Sequence, residues 1–359
     1  MKWITRFAPF LRRCAMGWVF SLSIAAASEA PRELVFLTWS DYIDPAVVAA
    51  FETHRGVRVK QVYFESDDDR DEILAENGPR GYDVILADGI SVSNYARQGW
   101  LARIRDGDVP NRRHIEPRWR DAFPLTAEHG VPYFWGTIGI AYRRDLVPTP
   151  FSSWRQLFEP DEALRGKIVM IKHARDVIGM ALKSLGHSQN SADPTAIAAA
   201  GELIRKQQPF VKAYSYVAIT QESALVSGEI WAAMVFNGDA IMLREHNPNI
   251  AFVVPEEGSN LGVDYLTVSA TTEAPDLAYA FIDFVTEPQN AAKIAEFVHY
   301  ATPNTAARAH LSAEYFADPI IFPDAATLER CEFFTDLPAA ASRQRNAVFQ
   351  SVTQRVQKP

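Results

Sequence analysis

The chain has 359 residues, 48% of them hydrophobic, and a formal net charge of −8. That length exceeds a single domain of about 100–200 residues, and the apolar share suffices for two buried cores. The acidic balance disfavours nucleic acid and anionic membrane surfaces as partners, because both repel a negative protein.

The first residues read as a secretory signal. Lys2, Arg6, Arg12 and Arg13 form a basic region, Cys14–Ile24 a short apolar run, and Ala25, Ala26 and Ala27 a small-residue cleavage site. The run is too short to span a bilayer, which takes about 20 apolar residues. Cys14 precedes the run, where a lipid-modified cysteine would follow it. Cleavage after residue 27 leaves 332 residues and, with four basic residues removed, a net charge of −12. The mature chain then keeps only Cys331, so no intramolecular disulfide staples it. We expect a soluble periplasmic protein.

In chain order, Leu34–Leu37 predicts a strand. Asp44 and Pro45 open a helix with Val47, Val48 and Phe51 on its apolar face, and Gly56 closes it. Val57–Tyr63 alternates as a strand. Asp67–Asn77 reads as a solvated helix with acids in its first turn, where the helix dipole favours them. Tyr82–Leu86 is a further strand. A second series follows: strand Lys167–Ile171, helix Val177–Leu185, helix Ala196–Lys206, strand Ile230–Val235, helix Ala240–Glu245, strands Ile250–Val254 and Tyr265–Ser269, helix Leu277–Val285, and a helix opened by Pro288. Alternating strands and helices predict α/β lobes with mainly parallel sheets.

Open α/β sheets bind ligands at the carboxyl ends of their strands. That rule selects Trp39, Ser40, Asp41 and Tyr42, then Asp88, then the stretch from Lys172 through His173 to Asp176, then Phe236 and Asp239. Every rim carries a carboxylate and two carry aromatic rings, a pairing that suits an ammonium group through charged hydrogen bonds and cation–π contacts. Each residue also has a structural reading. Asp41 competes with Asp44 as a helix cap, Asp88 before Gly89 suits a turn, Asp176 suits a cap, and Trp39 and Tyr42 suit packing. The Asp67–Asp69 run lacks the glycine and distal glutamate of a calcium loop. No metal or cofactor motif appears, and no nucleophile elbow, H-E-x-x-H or dinucleotide fingerprint indicates an enzyme.

Five blocks resemble periplasmic spermidine/putrescine-binding proteins, in family order: Leu37–Ile43, Val131–Thr137, Ala174–Val177, Phe236–Asp239 and Tyr300–Asn304. The resemblance implies a monomeric, two-lobed α/β binding protein (type II) with crossing hinge segments. Lobe one would be 28–137 with 258–304, and lobe two 138–257 with 305–359. It further implies a polyamine ligand in the cleft, Trp39 and Tyr42 along its alkyl chain, and Asp41, Asp176 and Asp264 on its amines, with Asp264 central. Asp239 falls where some members use an aspartate. The implied partner is an inner-membrane ABC permease or, as in sensing relatives, a transmembrane receptor. The sequence departs from the family at Asp88 (serine), Ile90 (tyrosine), His173 (acid), Phe236 and Gly262 (tryptophans) and Phe334 (glutamine). These departures predict an altered specificity, with Asp88 compensating for a charged His173.

Overall fold

The computed structural model describes residues 32–356; the proposed signal segment lies outside the described residues. Among them are ten strands: β1 Arg32–Thr38, β2 Val57–Tyr63, β3 Val84–Asp88, β4 Gly130–Arg143, β5 Ile168–Met170, β6 Val211–Tyr214, β7 Ala232–Phe236, β8 Ile250–Val253, β9 Asn260–Val268 and β10 Glu332–Phe333. The helices of eight residues or more are α1 Pro45–Arg55, α2 Asp67–Asn77, α3 Gly89–Arg97, α4 Ala174–Ser184, α5 Pro194–Gln207, α6 Asn237–His246, α7 Pro275–Val285, α8 Pro288–Val298 and α9 Ala339–Val356.

Local chemistry explains where several of these elements begin. Asp44 caps α1 by accepting from the Ala46 N–H at 2.8 Å, ahead of Pro45 at the first helical position, and Gly56 ends the helix in the left-handed region. Ser66 caps α2 and Asp193 caps α5 in the same manner. Val47, Val48 and Phe51 are buried, as their spacing predicts.

The strand order is β2-β1-β3-β9-β4-β7-β5-β6, with β10 on β9 and β8 on β4. Parallel pairs make up the flanks: β1 with β2 and β3, and β5 with β6 and β7. Antiparallel pairing is confined to the partners of β4 and β9. The buried apolar side chains form distinct clusters. One gathers β1, β3, β9, α7 and α8 around Phe36, Phe51, Leu86 and Phe281. A second lies around Trp154, Phe158, Met170 and Leu182, and a smaller third around Leu225, Val235 and Leu243. β4 serves both sides: Val131 through Trp135 join the first cluster, and Ile138 and Ile140 the second. Ile321 packs in the first cluster, whereas Phe349 and Val352 of α9 pack in the second.

β4 was not legible as a strand. All fourteen of its residues are buried, so no polar alternation marks it, and Gly130, Pro132, Gly136 and Gly139 interrupt its β propensity. β9 likewise begins at Asn260, five residues before the predicted strand, and α4 begins at Ala174 rather than Val177.

Candidate functional site

Strand register assembles the centre of the site. Asp264 on β9 lies directly opposite Asp88 on β3 and opposite Phe134 on β4. Opposed residues of an antiparallel pair share a sheet face, so the end of β3 and the interiors of β9 and β4 contribute to a single wall. The loop after β1 supplies Tyr42, whose hydroxyl donates to Asp264 Oδ2 at 2.6 Å. Tyr133, buried on β4, fixes that loop by donating to the Tyr42 carbonyl at 3.0 Å. The Tyr42 ring meets Phe134, Tyr300 and Tyr133 edge-on, with centroids 5.3, 5.9 and 6.1 Å away. Aromatic rings in edge-to-face contact form stable, rigid walls.

A second carboxylate closes this box. Asp239 sits in the first turn of α6, directly after β7, and accepts from the Tyr300 hydroxyl at 3.2 Å. Gly238 makes that approach possible: a Cβ there would lie 2.3 Å from the Tyr300 ring. Neither acid has a cationic partner among the described residues. Desolvation therefore dominates both: it raises Asp264 to about 7, against the Tyr42 hydrogen bond, and Asp239 to about 6. Desolvation and the nearby Asp264 also push the Tyr42 hydroxyl well above its ordinary value.

The remaining predicted acids are differently placed. Asp88 caps α3 through the N–H groups of Ile90 and Ser91 at 2.9 and 3.3 Å, and accepts from the Ser91 hydroxyl at 2.6 Å. Arg70 reaches it at 3.2 Å and Arg175 at 3.8 Å. Burial alone would raise Asp88; Arg175, Arg70 and Ser91 outweigh it and hold the carboxyl well below the usual range. Asp88 thus has its countercharges already, from two arginines. Asp176 is buried in the first turn of α4 and bonded to Nδ1 of His173 at 2.5 Å. Burial opposes the imidazolium, but Asp176 more than offsets it, so His173 titrates above its ordinary value.

Asp41 is exposed, with φ at +54°, and accepts from the Ser40 hydroxyl at 3.0 Å; Asp44, not Asp41, is the cap of α1. Trp39 is half-buried against Phe64, with centroids 4.5 Å apart. Phe236 is half-buried at the end of β7. Phe334 is buried beneath the Arg175 guanidinium, 4.9 Å from its centroid. At Gly262 a Cβ would meet nothing closer than 3.9 Å, so the space beside it is open.

Sequence reasoning missed Arg70, which is 1% exposed and bonded to Asp67, Tyr95, Asp88 and Ser91. The solvated reading of Asp67 accordingly fails: desolvation raises its carboxyl, although Arg70 lies against it. Tyr133, Phe134 and Tyr300, which lie within the blocks Val131–Thr137 and Tyr300–Asn304, join the site through Tyr42 and Asp239. Among the described residues no group of His, Cys, Asp and Glu is placed to hold a metal ion.

A wall carrying desolvated carboxylates beside aromatic rings suits the capture of a small cationic solute. The family model for bacterial extracellular solute-binding proteins matches residues 46–323, and the chain belongs to that family. Its α/β fold is the two-lobed periplasmic type, as expected. It is 30% identical over 320 residues to the spermidine/putrescine-binding periplasmic protein of Escherichia coli, covering 89% of this chain and 91% of that protein. It is 30% identical over 323 residues to the norspermidine sensor of Vibrio cholerae, covering 89% of each. The solved spermidine/putrescine ABC transporter substrate-binding protein of Streptococcus pneumoniae superposes with a TM-score of 0.80 at 28% identity, covering 91% of this chain and 100% of that one. Among the described residues no helix is long and apolar enough to cross a membrane.

Proposed function

We propose that this protein captures a small polyamine-like cation and delivers it to an ABC permease in the inner membrane, after export with a cleaved signal peptide. The carrying observation is the pair Asp264 and Asp239, two desolvated carboxylates without a countercharge, set in the rings of Tyr42, Phe134 and Tyr300. Such a pair is costly in the empty protein and is relieved by an ammonium. In this reading Trp39, Ser40 and Asp41 meet the ligand from the loop after β1, and Phe236 offers it a ring face from the end of β7. Lobes meeting at the β4 and β9 crossings close on the ligand. We place 28–137 and 258–304 in one lobe and 138–257 in the other; the 305–359 segment, expected wholly in the second lobe, divides, with Ile321 packed in the first cluster and Phe349 and Val352 in the second.

The norspermidine sensor among the relatives supports a second reading, in which the closed form engages a transmembrane receptor. Both readings share the site and no catalytic step. The test is thermal denaturation of residues 28–359, stripped of co-purified ligand, against diamines, triamines and neutral controls. A ligand at about 100 times its Kd stabilises the native state by about 2.7 kcal/mol. A saturable shift with one amine, lost in Asp264→Ala, is expected; silence across all amines refutes the reading.

A further inference from the structure

A second group of acids adjoins Asp264 and Asp239. Asp88 is the register partner of Asp264. β5 and β7 are parallel neighbours, so the segments leaving their carboxyl ends bring His173 and Asp176 to the same edge as Asp239. Beyond burial and the Tyr42 hydrogen bond, Asp67, Asp88 and Arg70 also act on the Asp264 carboxyl.

This second group is neutralised from within. Arg70 donates to Asp67 at 2.7 Å and to Asp88 at 3.2 Å, Arg175 stands 3.8 Å from Asp88, and Nδ1 of His173 is bonded to Asp176 at 2.5 Å. Three carboxylates thus meet three basic side chains; Asp71, which also reaches Arg70, is largely exposed. His173 is the weak base of the three, since the arginines keep their protons at any physiological pH. Burial opposes its charge, as does Arg175; Asp176 and Asp67 outweigh them. The Asp176 side chain keeps 5% of its surface and the imidazole 20%, so the acid meets the ring rather than water. An ammonium arriving here would find the buried acid already carrying a cation and would face His173 and Arg175 as like charges, which disfavours it. Asp41, exposed to water, holds an ammonium only weakly.

We propose that His173 determines specificity: as the built-in cation on Asp176 it fills the place of a third ammonium, so the site selects dications, held by Asp264 and Asp239, over trications of equal length. The proposal rests on the amine-capturing reading and names the ligand class within it.

The experiment is calorimetry at pH 7 on residues 28–359, with straight-chain diamines of graded length and with bis(3-aminopropyl)amine, which matches 1,7-diaminoheptane in length and adds one ammonium. Wild type is compared with His173→Asn, whose amide replaces the Nδ1 donor without the charge; His173→Gln serves if that variant does not fold. Wild type should bind the length-matched diamine at least tenfold more tightly than the triamine. Either variant should move the ratio of the two affinities toward the triamine at least tenfold, and adding Asp176→Asn should cancel the move. In the wild-type diamine complex the 15N signals of the His173 ring should be those of an imidazolium. With diamine binding intact, a wild-type preference for the triamine, an unchanged ratio in the variants, or a neutral ring overturns the proposal alone. Exclusion of 1,7-diaminoheptane together with the triamine, in wild type and variants alike, also overturns it, because length rather than charge then selects. If no diamine binds wild type, the amine-capturing reading fails and the proposal with it.

Discussion

Two acid clusters share one wall and differ in what neutralises them. Around Asp88, the countercharges are internal: Arg70 and Arg175 reach its carboxylate, and His173 serves Asp176. Around Asp264, the neighbours are tyrosine hydroxyls and rings, and Asp239 has only Tyr300. Asp88 and Asp264 are register partners on adjacent strands, yet burial raises one to about 7 while arginines hold the other well below the usual range. The same residue type, a strand apart, is neutralised by arginines in one place and left without a cation in the other. The supply of cations decides which, rather than the presence of acids.

The largest test of this contrast is Asp264→Asn. It should lower amine affinity at least 100-fold by titration calorimetry, while raising the stability of the empty protein at pH 8 by roughly 2–4 kcal/mol in urea unfolding. The sign follows from the raised carboxyl. The folded state holds that proton more tightly than the unfolded state does, so stability is lost as pH rises from about 3.9 through about 7. Asp88→Asn should do the reverse. Taking away one of the three carboxylates on buried Arg70, and the acid nearest Arg175, should cost about 1–3 kcal/mol, with amine affinity of the folded protein changed less than about threefold. A loss of binding as large as that of Asp264→Asn would erase the distinction.

pH offers a gentler probe. An ammonium requires the Asp264 carboxylate ionised, so affinity should fall about tenfold per unit below pH 7 and level off above it, with proton release on binding near neutrality. Gly238→Ala places a methyl against the Tyr300 ring. The displaced hydroxyl leaves Asp239, and affinity should drop about tenfold while Asp264 titrates as before. The smallest effect belongs to Gly262→Trp, which has room at its Cβ. A restored ring beside Asp264 should strengthen amine binding by about 0.5–1 kcal/mol; no gain would mean that the open space is not part of the ligand path.

Much of this was readable from local pattern. Asp44-Pro45 and Gly56 delimit α1 because capping and left-handed backbone are local chemistry. The strand-end rule found Tyr42, Asp88, Asp176 and Asp239 because side chains at strand termini face a rim wherever an open sheet forms. β4 escaped because burial on both faces removes the periodicity that reveals a strand. Asp264 entered only through resemblance, since nothing around Gly262–Tyr265 marks a site.

The sequence by itself determined the alternation of strands and helices, the acidic balance, the candidate acids and the absence of enzymatic motifs, all of which depend on residue type and short spacing. Only the tertiary structure decided which acids are free. Arg70 lies 18 residues from Asp88, Arg175 87 residues, and Tyr42 222 residues from Asp264. A carboxylate's charge state depends on what lies within a few ångströms of it, and folding chooses those neighbours without regard to their separation along the chain.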